Sequence, residues 1–470
     1  MAKYFAGLHI FAPKFFRGVS MYAPRLTRHL LPTHTKALYG FGNVGNQLFR
    51  DAPMILLLFY LTSIVGIPPA IAGAAIFVPK VVVGALSDFT IGVVSDRNLY
   101  RFARRNWLLV GACLAPFAMI ATFFVPDVTM SLQVTYVIGA FSFYMITFAS
   151  FSVPFLAHFS EISSDPQERT VLMAWKHAWT GAGLLLGSAL VPWLIHELGA
   201  DRSAYVSGAA LLGGIAAISL VTAWNAVRKV PVSVPLERDL SLRGLLSTLR
   251  FGPFRILCLS AAAMTIAAGT CSAAMAFFIT YNMGRSDALV QLGILVAIAG
   301  GVVMVVSPFW VMMARIMGKR NAYVLGAMGH VATILIWSNL GTGPIWVTYV
   351  CSGFIGLFNS GWGLVALSLL TDAMAQAREE TGRDTAGSFA AIWSIVEKAG
   401  IALGGTLVAS SILALGGFDS AAARRGIAQS VEAVDAIRYA FGIVPAALMV
   451  VAAFIIWRFV PARANGGPGQ

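Results

Sequence analysis

The sequence predicts an all-α membrane protein of about 12 transmembrane helices arranged as two six-helix halves. Three observations carry that prediction. The 470 residues are 58% hydrophobic and only 11% charged, whereas soluble globular chains are about 45–50% apolar and about 25% charged. Too few charged side chains remain to cover a soluble surface. Apolar stretches long enough to cross a bilayer, about 20 residues each, recur twelve times, and Lys and Arg collect in alternate connections between them.

In chain order the spans are 36–66, 67–95, 107–125, 129–159, 171–197, 203–227, 254–284, 287–315, 322–340, 343–372, 386–416 and 436–459. The first starts at Lys36 and the second stops at Asp96-Arg97; the third follows Arg104-Arg105, and the fourth closes on His158 and Glu161. The fifth follows Arg169, the sixth stops at Arg228-Lys229, and the seventh begins around Arg255. The eighth stops at Arg315, the ninth follows Lys319-Arg320, the tenth precedes Arg378, the eleventh follows Arg383, and the twelfth ends at Arg458. Several exceed the minimum length, which implies tilt or extension beyond the lipid.

The basic residues set the orientation. One side receives twenty-four Lys and Arg, the other only Arg202, Arg285, Arg424, Arg425 and Arg438. Cytoplasmic loops carry the excess, so both termini are expected in the cytoplasm, with the chain in the cell inner membrane. The net charge of +13 is thus topological and implies no nucleic-acid partner. Cys113, Cys258, Cys271 and Cys351 all fall in apolar stretches without a CxxC pair, which favours small buried hydrophobes over a disulfide framework or metal site. The basic N-terminus lacks an apolar run followed by a cleavage site.

The domain organisation follows. Residues 1–35 form a basic segment with scattered aromatics. It either lies on the anionic cytoplasmic leaflet or is an extension, with Met21 as an alternative start. Residues 36–227 make the first bundle, 228–253 a cytoplasmic central loop, 254–460 the second bundle and 461–470 a tail. "RNWLLVGA" (105–112) and "RNAYVLGA" (320–327) open the third and ninth spans after matching basic loops. Parallel six-helix repeats around a central cavity are the plan of the major facilitator fold.

Ionisable side chains inside spans cost about 2.5–3.5 kcal/mol each even on the lenient insertion scale, and they default to function. Here they are Arg50 and Asp51 in span 1, Lys80 and Asp88 in span 2, Lys176 and His177 in span 5, and Glu397 and Lys398 in span 11. In an ideal helix Lys80, Gly84 and Asp88 share a face, and Lys80 and Asp88 stand about 12 Å apart along the axis. Each needs a partner elsewhere. Sequence neighbours point about 100° apart, so Arg50 and Asp51, like Glu397 and Lys398, are expected to pair with other groups rather than each other. The alternative role for these charges is fixing helix packing through buried ion pairs.

With those residues in view, the chain resembles the glycoside–pentoside–hexuronide:cation symporter family, melibiose permease-like members of the major facilitator superfamily. The resemblance runs from about residue 36 to the last helix. It rests on "YGFGNVGNQL", "FYLTSIVGI", "GALSDFTIGVVSDR", "VPFLAHFSEISSDPQERTVL" and, most specifically, "LTDAMAQAREETGRDTAGSFAAIWSIVEKAG". It implies uptake of a sugar-like solute (a glycoside, pentoside or hexuronide) by alternating access, coupled to a cation.

Residue by residue, the resemblance places Asp88 on the second carboxylate of the cation site and Gly84 where the first would stand. Ser87 falls beside it, Ala149 near a hydroxyl position, and Lys398 on the family's helix-11 lysine. The sugar-binding carboxylates fall on Gln47 and Ser152. A sodium ion needs several oxygens, while a proton needs one carboxylate moderated by a nearby cation. The expected coupling ion is therefore H+ rather than Na+, or none, and no cofactor is expected. Solute contacts are expected from Gln47, Arg50, Asp51, Ser152, His177, Trp362 and Lys398, with Trp362 or Trp175 stacking on a sugar face.

Asp96 and Arg97 resemble a major-facilitator latch, with Glu161, Arg169, Asp372 and Arg383 as further gating residues. Unpaired loop charges are the bland alternative for several of these. The one-charge cationic excess inside the spans points to an anionic solute as an alternative, and an amphiphile such as a lysolipid is another. A membrane enzyme is disfavoured, since HExxH, GxSxG and P-loop motifs are absent from the sequence. A non-transporting assembly or sensor protein remains the rival class. The partners expected are a small solute, a coupling cation and the bilayer, with the protein a monomer.

Overall fold

A computed structural model describes residues 31–97, 102–159, 162, 166–230, 248–381 and 386–461; within these it leaves out the side chains of Asp96, Arg97, Arg169, His177 and a few neighbours. Among the described residues there are twelve long helices. They are α1 (Thr33–Val65), α2 (Pro69–Ser95), α3 (Trp107–Phe123), α4 (Met130–His158), α5 (166–197) and α6 (Arg202–Val227) in the first half. The second half holds α7 (Gly252–Asn282), α8 (Ala288–Met317), α9 (Lys319–Ser338), α10 (Ile345–Thr381), α11 (386–415) and α12 (Val431–Phe459). Ten are long and apolar enough to cross a membrane. The two others are α5 and α9.

Boundaries differ from the sequence expectation mainly where polar residues sit on a helix that outruns the lipid. The tenth span was expected to stop at 372 but continues to Thr381. The twelfth begins at Val431, where the Ser430 hydroxyl accepts from the Ala433 N–H at 3.2 Å and caps the helix. Of the four cysteines, Cys258 and Cys351 are buried and Cys271 is half-buried, but Cys113 is exposed. Apolar surroundings in sequence do not separate a core face from a lipid face, because both are apolar.

Small residues let the helices approach closely, as they do where lipid supplies no hydrophobic drive between helices. A methyl at Gly404 in α11 would overlap the Ile266 carbonyl of α7, and Gly269 is pressed in the same way against Ile401. The Gly45 N–H of α1 donates to the Ser219 hydroxyl of α6 at 3.0 Å.

Cross-half packing among the described residues runs through α1–α7, α2–α11 and α5–α8, from mid-bundle to the end away from the basic loops. There Phe59 meets Phe277 edge-on at 5.1 Å, the Tyr281 hydroxyl donates to Ser63 at 3.3 Å, and Ser420 donates to the Ile67 carbonyl at 2.9 Å. Asp127 adds ion pairs to Arg202 at 3.4 Å and, across the halves, to Arg424 at 3.5 Å. Near the middle of their helices, by contrast, the Arg50 and Lys398 side chains are 61% and 65% exposed. The halves are closed at the end opposite the basic loops and enclose a space that is open at mid-bundle.

Candidate functional site

Charged side chains from α1, α2, α5 and α11 converge on that space. Lys398 Nζ of α11 stands 3.1 Å from Asp88 Oδ2 of α2, an ion pair that joins the two halves. Lys80, one π-helical segment (Pro79–Val83) before Gly84, is attracted instead by Asp51 of α1. The wider π turn rotates Lys80 relative to Asp88, so the single face expected of an ideal helix does not hold across residues 80–88. A side chain at Gly84 would meet the Met145 methyl of α4, and Ala149 is fully buried. Of the positions the resemblance places around Asp88, Ser87 is buried beside it in sequence, while Gly84 and Ala149 contribute no side-chain oxygen.

On α1 the structure corrects the expected pairing. Arg50 and Asp51 do pair with each other, Arg50 Nε donating to Asp51 Oδ1 at 3.1 Å. Their Cα–Cβ directions diverge, but the guanidinium arm is long enough to fold back over one peptide unit. Gln47 Nε2 donates to the other oxygen, Asp51 Oδ2, at 2.5 Å. Gln47 is only 2% exposed and Asp51 is buried. Neither presents itself to the central space as an expected solute ligand would; Arg50 does.

Arg50 lies within electrostatic reach of two further groups, attracting Glu397 of α11 and repelling Lys176 of α5. Lys176 Nζ stands over the Phe159 ring, 5.8 Å from its centroid. The Trp393 indole N–H, one turn before Glu397, faces that carboxylate, but its geometry leaves it without a hydrogen-bond partner.

The remaining expected residues disperse. Ser152 is half-buried on α4. The Trp362 indole donates to His330 Nδ1 of α9 at 3.4 Å, which ties the ring to the α9–α10 interface. Trp175 is half-buried on α5. Asp372 is held by Lys319 at 2.6 Å within the second half, between α10 and the start of α9. Glu161 and Arg383 lie outside the described residues, and so do the side chains of Asp96, Arg97, Arg169 and His177.

Several polar residues escaped the sequence reading because neutral side chains carry no membrane cost that marks them. Asn43 of α1 donates to the Thr180 hydroxyl of α5 and, at 3.4 Å, to the Lys176 carbonyl. The Tyr39 hydroxyl hydrogen-bonds His158 Nδ1 at 2.9 Å. Their common signal is a polar residue repeating every three or four positions along α1, at 39, 43, 47 and 51.

The family model described as MFS/sugar transport protein matches residues 38–461. The chain is 23% identical over 449 residues to the inner membrane symporter YicJ of Escherichia coli (strain K12), covering 92% of each chain. It is also 23% identical to the glucuronide carrier protein homolog of the same organism, covering 89% of this chain and 90% of that one. Its fold matches the crystal structure of a bacterial homologue of the human lysosomal transporter Spinster, in an inward-facing and unoccupied conformation, with a TM-score of 0.68. That match is 12% identical and covers 90% and 96% of the two chains. A two-halved helical bundle enclosing a charged central space, together with a match over nearly its whole length, places this chain in the MFS/sugar transport protein family.

Proposed function

We propose that the protein is a secondary transporter that carries a sugar-like solute across the inner membrane by alternating access, coupled to protons at Asp88. The observation that carries the reading is the Asp88–Lys398 ion pair, which spans the two halves in the middle of the bundle. A proton on Asp88 removes one charge of that pair and loosens the link that holds α2 to α11, so proton binding and the rocking of the halves become one event. Gly84 and Ala149 offer no side-chain oxygens to a metal ion beside Asp88, which favours H+ over Na+. The described end of the bundle that is closed is the end with few Lys and Arg, so the conformation is open to the cytoplasm if basic loops face inward. On the same ground both termini are cytoplasmic. The bundle needs no second copy to enclose its central space, and the protein acts as a monomer.

A second reading concerns the solute's charge. Arg50 and Lys176 repel each other across the space, and Asp51 is turned away from it, which favours an anionic solute over a neutral one. The glucuronide carrier homologue carries such a solute in its name.

The test is purified protein in liposomes enclosing a pH-sensitive dye, challenged with neutral glycosides, uronides and lysolipids. Solute-dependent proton entry with a sugar or uronide supports the proposal. Proton-independent solute entry refutes coupling, response to lysolipids alone selects the amphiphile reading, and silence across the panel moves the protein to the assembly or sensor class.

A further inference from the structure

We propose that Asp51 and Gln47 are positioning residues whose task is to aim Arg50 at the solute. The inference rests on the transport reading above and adds a division of labour within α1.

The three side chains form a line from packing to open space. Gln47 is covered by α5, where Gly183 lies against its Cβ, and its amide is spent on Asp51 Oδ2. Asp51 has both oxygens committed, one to Gln47 and one to Arg50 Nε. With each oxygen taken by one of these donors, Asp51 is engaged within α1 and not toward a solute. Arg50 uses only its Nε edge on Asp51. The side chain is 61% exposed, and Glu397 and Lys176 feel its charge. A guanidinium offers five donors in a rigid fork matched to carboxylate geometry, provided the long arm is held still. Asp51 holds it.

The arrangement also balances charge. Asp51 neutralises one of the two cations nearest to it, Arg50 and Lys80. The cavity-facing fork thereby keeps a positive field while α1 as a whole stays tolerable within the membrane. The proposed role makes a specific demand: the effect of Asp51 on solute affinity must pass through Arg50.

A double-mutant cycle on apparent affinity tests this. The probes are methyl β-D-glucuronide and methyl β-D-glucoside, added to purified protein and read by tryptophan fluorescence and by uptake into liposomes. Arg50→Ala is expected to weaken glucuronide binding about tenfold or more, the scale of one charged hydrogen bond lost, and to weaken glucoside binding less. Asp51→Asn is expected to raise KM about threefold to tenfold with the maximal rate within about twofold. In the Arg50→Ala background Asp51→Asn should add less than about twofold.

A purely structural Asp51 would lower affinity by the same factor in both backgrounds, and that result overturns the inference. Equal losses for glucuronide and glucoside on Arg50→Ala overturn it as well. Should Asp51→Asn fail to fold, Arg50→Lys keeps the cation but loses the Nε contact, and it must then show the Asp51→Asn phenotype. Wild-type protein that responds to neither probe would overturn the solute class and this inference together. A wild type that binds the probes, with Arg50→Ala leaving both affinities unchanged, would overturn this inference alone.

Discussion

The closed end of the bundle yields a prediction whose magnitude comes from comparing two contacts. Ser420 Oγ donates to the Ile67 carbonyl across the halves at 2.9 Å, and both residues are buried. Asp419 holds Ser420 in place by accepting from the N–H groups of Ala421 and Ala422 at 2.8 and 3.0 Å, which caps the single helical turn Ser420–Arg424. Removing the hydroxyl leaves a buried carbonyl unsatisfied while the end is closed but wet when it opens, a difference of about 1–3 kcal/mol.

The neighbouring Arg424–Asp127 pair spans 3.5 Å with side chains 46% and 69% exposed, and such pairs contribute about 0.2–1 kcal/mol. The buried hydroxyl therefore outweighs the visible ion pair. With about 1.4 kcal/mol per factor of ten, Ser420→Ala should shift the closed–open equilibrium toward opening by about fivefold to one-hundred-fold. Arg424→Ala should shift it by no more than about fivefold. Spin labels at the exposed positions Leu198 and Val431, in a background lacking the native cysteines, report the distance distribution across that end. A larger shift from Arg424→Ala than from Ser420→Ala, or no shift from either, would refute the reasoning.

Three further outcomes are expected. Asp88→Asn should abolish the response of uptake to an imposed pH gradient; transport that still follows the gradient would remove Asp88 from coupling. Gly404→Ala should lower the melting temperature of the purified protein, since the added methyl meets the Ile266 backbone and not a movable side chain, and overpacking costs about 1–3 kcal/mol. A melting temperature equal to wild type would show that α7 and α11 can separate freely. At the start of α6, bonds from the Ala204 N–H and the Ser203 hydroxyl hold the Asp201 carboxyl below its ordinary range. The stability it contributes is thus present above about pH 4 and declines as pH falls through the depressed value. The melting difference between wild type and Asp201→Ala should be present at pH 7 and shrink in acid; a difference independent of pH would contradict this.

The charged residues within the spans were legible because each ionisable group inside an apolar run stands out by its cost. Arg50, Asp51, Lys80, Asp88, Lys176, Glu397 and Lys398 all emerged on that ground alone. Their partners did not. An ideal helix separates Arg50 from Asp51 by about 100°, yet the arginine arm bridges them. The π segment at Pro79–Val83 likewise changes which residues share a face with Lys80, and a local run of apolar residues gives no sign of it. Gln47 read as a polar residue available to solute, whereas α5 covers it.

What the sequence determined by itself was the class of protein, the number of its long helices, its division into halves and the inventory of costly charges. Those follow from the one-dimensional contrast between apolar spans and polar connections, which the bilayer enforces residue by residue. What only the tertiary structure decided was which charges meet, which polar groups are covered and which end is closed. The Asp88–Lys398 and Ser420–Ile67 contacts join residues more than three hundred positions apart. Such contacts depend on how two bundles tilt against each other, and that relation is carried by packing across many helices and by no local pattern in the chain.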